Sequence, residues 1–372
     1  MASPSRMDKL RLHRVMSPYS EVDSAEVDHR PLLVTGGAGF IGTHVCRRLQ
    51  EEGRPYVILD LHEPPPDLTP AKLVLGDVRN PLAVEVAIQG CHAVLHLAAA
   101  HHDSGIDERT YFAVNEFGTE NIVAAMHSHG IKKICFFSSA AVYGISPVPA
   151  CEDTPPAPLS AYGRSKLAGE HILERAVSTH GISALVVRPS VTFGEGNYAN
   201  MYALIKQIES GRYAHVGESK NYKSLSYVDN LVDLIWWAWS RHRSGFDLVN
   251  WVESPDLTSR QIAEIIADQL GARLPRFSIP LGVALAAALP FEIANEVFGF
   301  KTSISRMRIR KLAVEQTMFD SGKIRALGFK GRTNLETGLR SMVSWYQSIP
   351  KGTEPVRRIP PFDPVTSIQV RP

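Results

Sequence analysis

The segment Thr35-Gly36-Gly37-Ala38-Gly39-Phe40-Ile41-Gly42 constrains the fold of this chain more than any other. It follows the apolar run PLLVT (31–35) and opens an amphipathic stretch over 41–52, which predicts a glycine-rich turn between a strand and a helix. Each glycine has a separate reason. Gly36 permits the tight turn, Gly39 lets the backbone approach a pyrophosphate, and Gly42 lets the helix pack closely on the strand. Phe40 and Ile41 begin the helix whose N-terminal amides would face the phosphates.

Apolar runs and helical patterns then alternate to about residue 190, the signature of parallel strands joined by crossover helices. Strands are expected at PLLVT, YVILD (56–60), KLVLG (72–76), AVLHLA (93–98), KICFFSS (133–139) and ALVVRP (184–189). Helices are expected over 41–52, 108–129 and 161–178. The fold class is therefore α/β, a Rossmann doubly wound parallel sheet with a smaller C-terminal substrate-binding domain. At 372 residues the chain exceeds one usual domain. We expect a flexible extension over 1–30, a cofactor-binding Rossmann domain with the catalytic residues over 31–190, a mainly substrate-binding domain over 191–350, and a tail over 351–372 with five prolines.

Composition narrows the partners. A formal charge of +2 without a long basic block argues against nucleic acid. Cys46, Cys91, Cys135 and Cys151 are widely separated and read as free thiols in a reducing, cytoplasmic compartment, with no metal site. The run LGVALAAAL between Pro280 and Pro290 is too short to span a bilayer, so no transmembrane segment is expected. It reads as a buried or partner-facing helix. A membrane-surface role, helped by Arg306, Arg308, Arg310 and Lys311, is the alternative.

Asp60 ends the second strand, 24 positions after Gly36, where a carboxylate accepts hydrogen bonds from an adenosine ribose. Leu61, His62 and Glu63 supply no cation for a 2′-phosphate, so NAD is favoured over NADP. Asp77, Val78 and the run Ala98-Ala99-Ala100 stand at further strand ends that would border the cofactor. Tyr162 and Lys166 in YGRSK share a helix face, where the ammonium can lower a phenol's pKa from its usual value of about 10. A tyrosine so tuned serves as general acid or base.

Together TGGAGFIG, Asp60, GDV (76–78), HLAAA (96–100), Asn115, SSAAVYG (138–144), YGRSK and VVRPSVTFGEGN (186–197) resemble the extended short-chain dehydrogenase/reductase superfamily, in its NAD-dependent nucleotide-sugar epimerase/dehydratase branch. The resemblance covers roughly residues 31 to 345. It implies a catalytic set of Ser139, Tyr162 and Lys166, a structural asparagine at Asn115 beside the cofactor, and a homodimer formed through the helices beginning near Thr110 and carrying Tyr162. It also implies diphosphate contacts from Asn200, Lys223 and Arg310, with Lys223 replacing the family's arginine by a point charge.

Dehydratases of this branch carry Thr-Asp-Glu where this chain has Ser139-Ala140-Ala141, and two alanines supply neither the acid nor the base that elimination needs. A nucleotide-sugar 4-epimerase acting through a 4-keto intermediate needs only the serine, tyrosine, lysine and NAD. The alternatives are a reductase or dehydrogenase of a 4-keto sugar or hydroxysteroid-like substrate, and a non-catalytic NAD-binding regulator. His101, His102 and Asp103 could line the sugar pocket. Trp236, Trp237 and Trp239 read as core or subunit contacts.

Overall fold

The structure, a computed structural model, describes residues 28–101, 105–146, 148–242, 244–298, 306, 309, 316–350, 352 and 360–371. Most of the expected N-terminal extension, together with His102, Asp103, Arg308, Arg310 and Lys311, lies outside the described residues.

The first half of the fold comprises β1 (Leu32–Thr35), α1 (Phe40–Glu51), β2 (Tyr56–Asp60), β3 (Lys72–Leu75), α2 (Pro81–Ile88) and β4 (Ala93–His96). α3 (Glu108–Phe112) passes through a π-helical turn, Ala113–Phe117, into α4 (Gly118–Ser128). β5 (Lys133–Phe137), α5 (Ala161–His180) and β6 (Ser183–Pro189) complete the expected alternation. All six expected strands form, β4 and β5 each two residues shorter at the C-terminal end than their apolar runs. α5 begins where it does because the Ser160 hydroxyl accepts a hydrogen bond from the Gly163 amide, and it stops at Gly181, which takes the left-handed conformation (φ +60°).

Beyond Pro189 follow β7 (Val191–Phe193), α6 (Asn200–Glu209), β8 (His215–Val216), β9 (Tyr222–Lys223), β10 (Leu225–Tyr227) and α7 (Val228–Arg241). Next come β11 (Phe246–Trp251), β12 (Leu257–Thr258), α8 (Ser259–Leu270), β13 (Ser278–Ile279) and α9 (Leu281–Phe298). α10 (Gly322–Ala326), α11 (Leu335–Ser348) and β14 (Gln369–Arg371) end the chain.

The main sheet has the order β11-β6-β5-β4-β1-β2-β3-β14, parallel throughout except for β14. Two strands join it from late in the chain. β11 extends the sheet beyond β6, and β14 runs antiparallel along β3 and covers what would be an open edge. One sheet face packs Leu33, Val57, Val94 and Ile134 against α2, α4 and α5. The other packs Val34, Ile58 and Leu95 against α1 and α7, with Trp237 and Trp239 buried and Trp236 half-buried beside them. A third apolar cluster holds Phe193, Tyr202, Ile205, Tyr227, Ile262, Leu339 and Met342 and gives the smaller lobe of α6, α8 and α11 its own core. That lobe hangs from the C-terminal end of β6, because β7 follows directly and pairs with β10.

Candidate active site

The strand order reverses between β1 and β4, and in open α/β sheets ligands bind outside the carboxyl ends of strands at such a point. The glycine-rich turn stands there. Gly36 has φ +72°, and a Cβ on it would meet the Ala98 amide nitrogen at 2.7 Å. A Cβ on Gly42 would lie 2.1 Å from the Gly36 carbonyl oxygen, so α1 rests on the turn itself. A Cβ on Gly39 would meet only the Gly36 oxygen, at 3.1 Å, and the outer side of that residue stays clear for a ligand. The Asp60 carboxylate accepts hydrogen bonds from the Ala38 amide (3.0 Å) and the His62 amide (2.9 Å), which orients it beside the turn. Phe40 and Ile41 are half-buried at the start of α1.

Ser139 lies immediately beyond β5 in extended conformation, and its hydroxyl accepts from the Ala141 amide at 3.2 Å. A Cβ on Gly163 would come within 2.6 Å of the Ala141 carbonyl, so the first turn of α5 sits on the turn that Ser139 opens. This packing brings Ser139 and Tyr162 to one place. Tyr162 is half-buried, its ring 6.4 Å from that of Tyr111. Lys166 is 1 % exposed with Nζ 4.3 Å from the Phe136 ring centroid. Burial pushes its ammonium down to about 7, a shift that Glu170 partly opposes. A ribose hydroxyl hydrogen-bonded to Nζ would favour the charged form again.

Asn115 falls on the π-helical turn and is buried. Its amide accepts from the Ala100 amide (2.9 Å) and donates to the Ala100 carbonyl (3.0 Å) and the Ser165 hydroxyl (2.9 Å), which itself donates to the Tyr162 carbonyl. One side chain thus ties the Ala98–Ala100 loop to the helix of Tyr162. Lys223 stands half-buried in β9, and Asn200 is the exposed first residue of α6, both on the smaller lobe. Arg310 lies outside the described residues.

Four features escaped the sequence. The Arg188 guanidinium on β6 makes a two-pronged ion pair with Glu170, both side chains under 5 % exposed, and lies over the Tyr143 ring. It holds α5 one turn beyond Lys166. His96, at the end of β4, bonds Thr35 and Thr119, and burial with Lys166 nearby pushes it down to about 3, so it is a neutral spacer beneath the site. The Ser138 hydroxyl is buried with no hydrogen-bond partner among the described residues, an orphan beside Ser139 that a bound ligand or water would satisfy.

The fourth concerns Asp77. Its carboxylate is filled by Arg79, through Nε and Nη2, and by the Val365 amide. The same guanidinium donates to the carbonyls of Pro361, Phe362 and Asp363. Residues 361–371 therefore form a strap across the Asp77–Asn80 turn, ending in β14. That turn adjoins Asp60, whose carbonyl accepts from the Gly76 amide, so the strap lies on the side of the sheet end where Asp60 stands. A chain ending at Arg358 is expected to release NAD faster than the full chain, and equal rates in a stopped-flow chase would remove this role. Asp60→Ala is expected to weaken NAD about tenfold or more, the loss of two charge-assisted bonds; calorimetry giving unchanged affinity would take Asp60 out of the ribose site.

The fold and the glycine-rich turn at the strand-order reversal define a dinucleotide-binding protein of the Rossmann type. The chain belongs to the NAD dependent epimerase/dehydratase family, whose model matches residues 32–250. NAD is its cofactor, and the glycine cradle and Asp60 fit it. The chain is 34% identical over 310 residues to an N-acetyl-alpha-D-glucosaminyl-diphospho-ditrans,octacis-undecaprenol 4-epimerase of Escherichia coli O157:H7, covering 83% of this chain and 92% of that protein. It is 25% identical over 358 residues to 3beta-hydroxysteroid-dehydrogenase/decarboxylase isoform 1 of Arabidopsis thaliana, covering 87% and 81%. The fold is similar to that of the Thermus thermophilus UDP-glucose 4-epimerase complex with NAD, with a TM-score of 0.69, 22% identity and coverage of 86% and 99%. Among the described residues no three His, Cys, Asp or Glu side chains cluster to hold a metal ion, and no helix is long and apolar enough to cross a membrane.

Proposed function

We propose that this chain is an NAD-dependent 4-epimerase of a sugar carried on a diphosphate. The observation that carries this reading is the packing of the Ser139 turn against the first turn of α5, with alanines at 140 and 141 where dehydration would need an acid and a base. Ser139 holds the C4 oxygen. Tyr162 removes the proton from that oxygen and later returns it, while Lys166 favours the phenolate and binds the nicotinamide ribose. When bound, NAD supplies reversible hydride exchange at C4. Inversion follows if the keto sugar turns over within the pocket before hydride returns to C4 and the proton to its oxygen.

A nucleotide sugar is the substrate class of the first reading, with residues 31–190 binding NAD and 191–350 mainly binding the substrate. Lys223 and Asn200 on the smaller lobe would meet its diphosphate. A second reading, a polyprenyl-linked sugar diphosphate, is favoured by the 34% identity to the undecaprenol-linked relative. Both present the same sugar 1-diphosphate to the site. This reading extends to a cytoplasmic homodimer through α3, α4 and α5; Phe117, 56 % exposed at the end of the π-helical turn, supports it.

The test is incubation, without added NAD, with UDP-, GDP- and dTDP-sugars and with polyprenyl-diphospho-N-acetylglucosamine, the products resolved by chromatography. A 4-epimer from either carrier supports the proposal. Stoichiometric change in NADH absorbance with a ketone or hydroxysteroid, and no sugar altered, would overturn it in favour of a reductase or dehydrogenase.

A further inference from the structure

A helix on a globular surface ordinarily turns polar residues outward. α9 does not. Its inner side is marked by Ala284 and Ala288, one turn apart and buried, while Gly282, Val283, Ala286, Ala287 and Leu289 are exposed. Val283 is 57 % exposed and Leu289 42 %. Just before the helix Phe277 stands 87 % exposed, next to Ile279 at 39 %.

This apolar surface is fixed to the lobe. β13, which carries Ile279, pairs with β8, and the Arg260 guanidinium donates to the Ser278 hydroxyl at 3.3 Å. The charge leading into it is basic. From Gln269 to Phe291 the sequence contains Arg273 and Arg276 and no acidic residue. Both arginines are exposed, Arg276 directly beside Phe277, and exposed Arg212 precedes β8 by three residues. Of the nearby carboxylates, Glu218 is paired with Lys220 and Asp268 with Arg340, Glu264 lies by Arg260 beside His215 of β8, and Glu292 and Glu296 fall in the second half of α9.

Apolar side chains bordered by exposed arginines complement a membrane surface, where an aromatic ring enters the interface and guanidinium groups meet anionic headgroups. The geometry points to the first half of α9, residues 281–290, and the segment Arg273–Ile279 as a docking face for an anionic bilayer, on which the helix lies without crossing. The inference rests on the diphosphate-sugar reading in its polyprenyl-linked form. Such a substrate keeps its chain in the bilayer and presents its sugar at the surface, so a face on the substrate-side lobe would bring the site to it.

The experiment is co-sedimentation of the full chain with NAD on vesicles of phosphatidylcholine alone and of phosphatidylcholine with phosphatidylglycerol. Binding to the anionic vesicles is expected, weakened about tenfold or more by Arg273→Glu with Arg276→Glu, and similarly by Val283→Glu with Leu289→Glu. Phe277→Ala, at a side chain with almost no packing to lose, serves where the paired variants melt early. Absence of binding by the unaltered chain would overturn the docking face while leaving sugar epimerisation to its own assay. Binding that ignores all three variants would place the contact elsewhere. A dimer dissociated by Val283→Glu, with no vesicle binding, would assign the face to a second copy instead.

Discussion

Tyr162→Phe is expected to lower sugar 4-epimerisation by about 10²- to 10⁴-fold, the usual contribution of a positioned general acid-base, while NAD affinity stays within about twofold. The substitution removes one oxygen and leaves the ring, which packs 6.4 Å from Tyr111 on a helix whose cap belongs to Ser160. The Asn115 bridge reaches α5 through Ser165 and the Tyr162 carbonyl, both unchanged in the variant. Loss of turnover together with loss of NAD would mean that the phenol is structural. Full turnover would remove Tyr162 from proton transfer altogether. Ser139→Ala separates the two partners further. Its Oγ accepts only a 3.2 Å bond from the Ala141 amide, so the turn should survive while the C4 oxygen loses its donor.

The parts of this molecule legible in the sequence are those in which local pattern and tertiary demand coincide. The buried parallel strands β1 to β6 are continuous apolar runs because both sheet faces are covered, and each run announces itself. Ser139, Tyr162 and Lys166 stand out in the sequence as candidates because the first follows a strand end and the other two share one face of the helix that follows. β11 was not, because FDLVNW carries Asp247 and Asn250 inside the strand, and Asn250 is there to accept from the Tyr143 hydroxyl at 2.8 Å. β14 has three exposed residues and no burial pattern at all; only its pairing with β3 makes it a strand. The Arg188–Glu170 pair joins residues 18 apart through space, and the Arg79 clamp joins Asp77 to a strap some 285 positions later. No local spacing can report such contacts. They are also what the helix of Tyr162 and the turn beside Asp60 rest on, so sequence spacing brought out candidate groups and missed their supports.

The second large effect is expected from a single methyl group. Gly42→Ala places a Cβ 2.1 Å from the Gly36 carbonyl oxygen and 2.7 Å from the Gly37 Cα, and every atom it meets first belongs to backbone. A clash with a flexible side chain can be relieved by a rotamer change, whereas here either α1 must lift from the sheet or the turn must move. Overpacking of this kind costs about 1–3 kcal/mol or more. The turn is also the phosphate cradle on the proposed reading, so affinity should fall with stability. Both a lower melting temperature and NAD binding weakened by about tenfold or more are expected, since about 1.4 kcal/mol of lost cradle geometry is already a factor of ten. Gly53→Ala isolates the cause. Gly53 has a positive φ, +66°, which Gly42 lacks, and a Cβ there meets nothing within 4 Å. Alanine at that position carries only the left-handed backbone penalty of about 1–2 kcal/mol and should leave NAD affinity untouched. If the two variants lost NAD equally, the close approach of α1 to the glycine turn would not be what shapes the cofactor site, and conformational freedom at the ends of α1 would have to explain both.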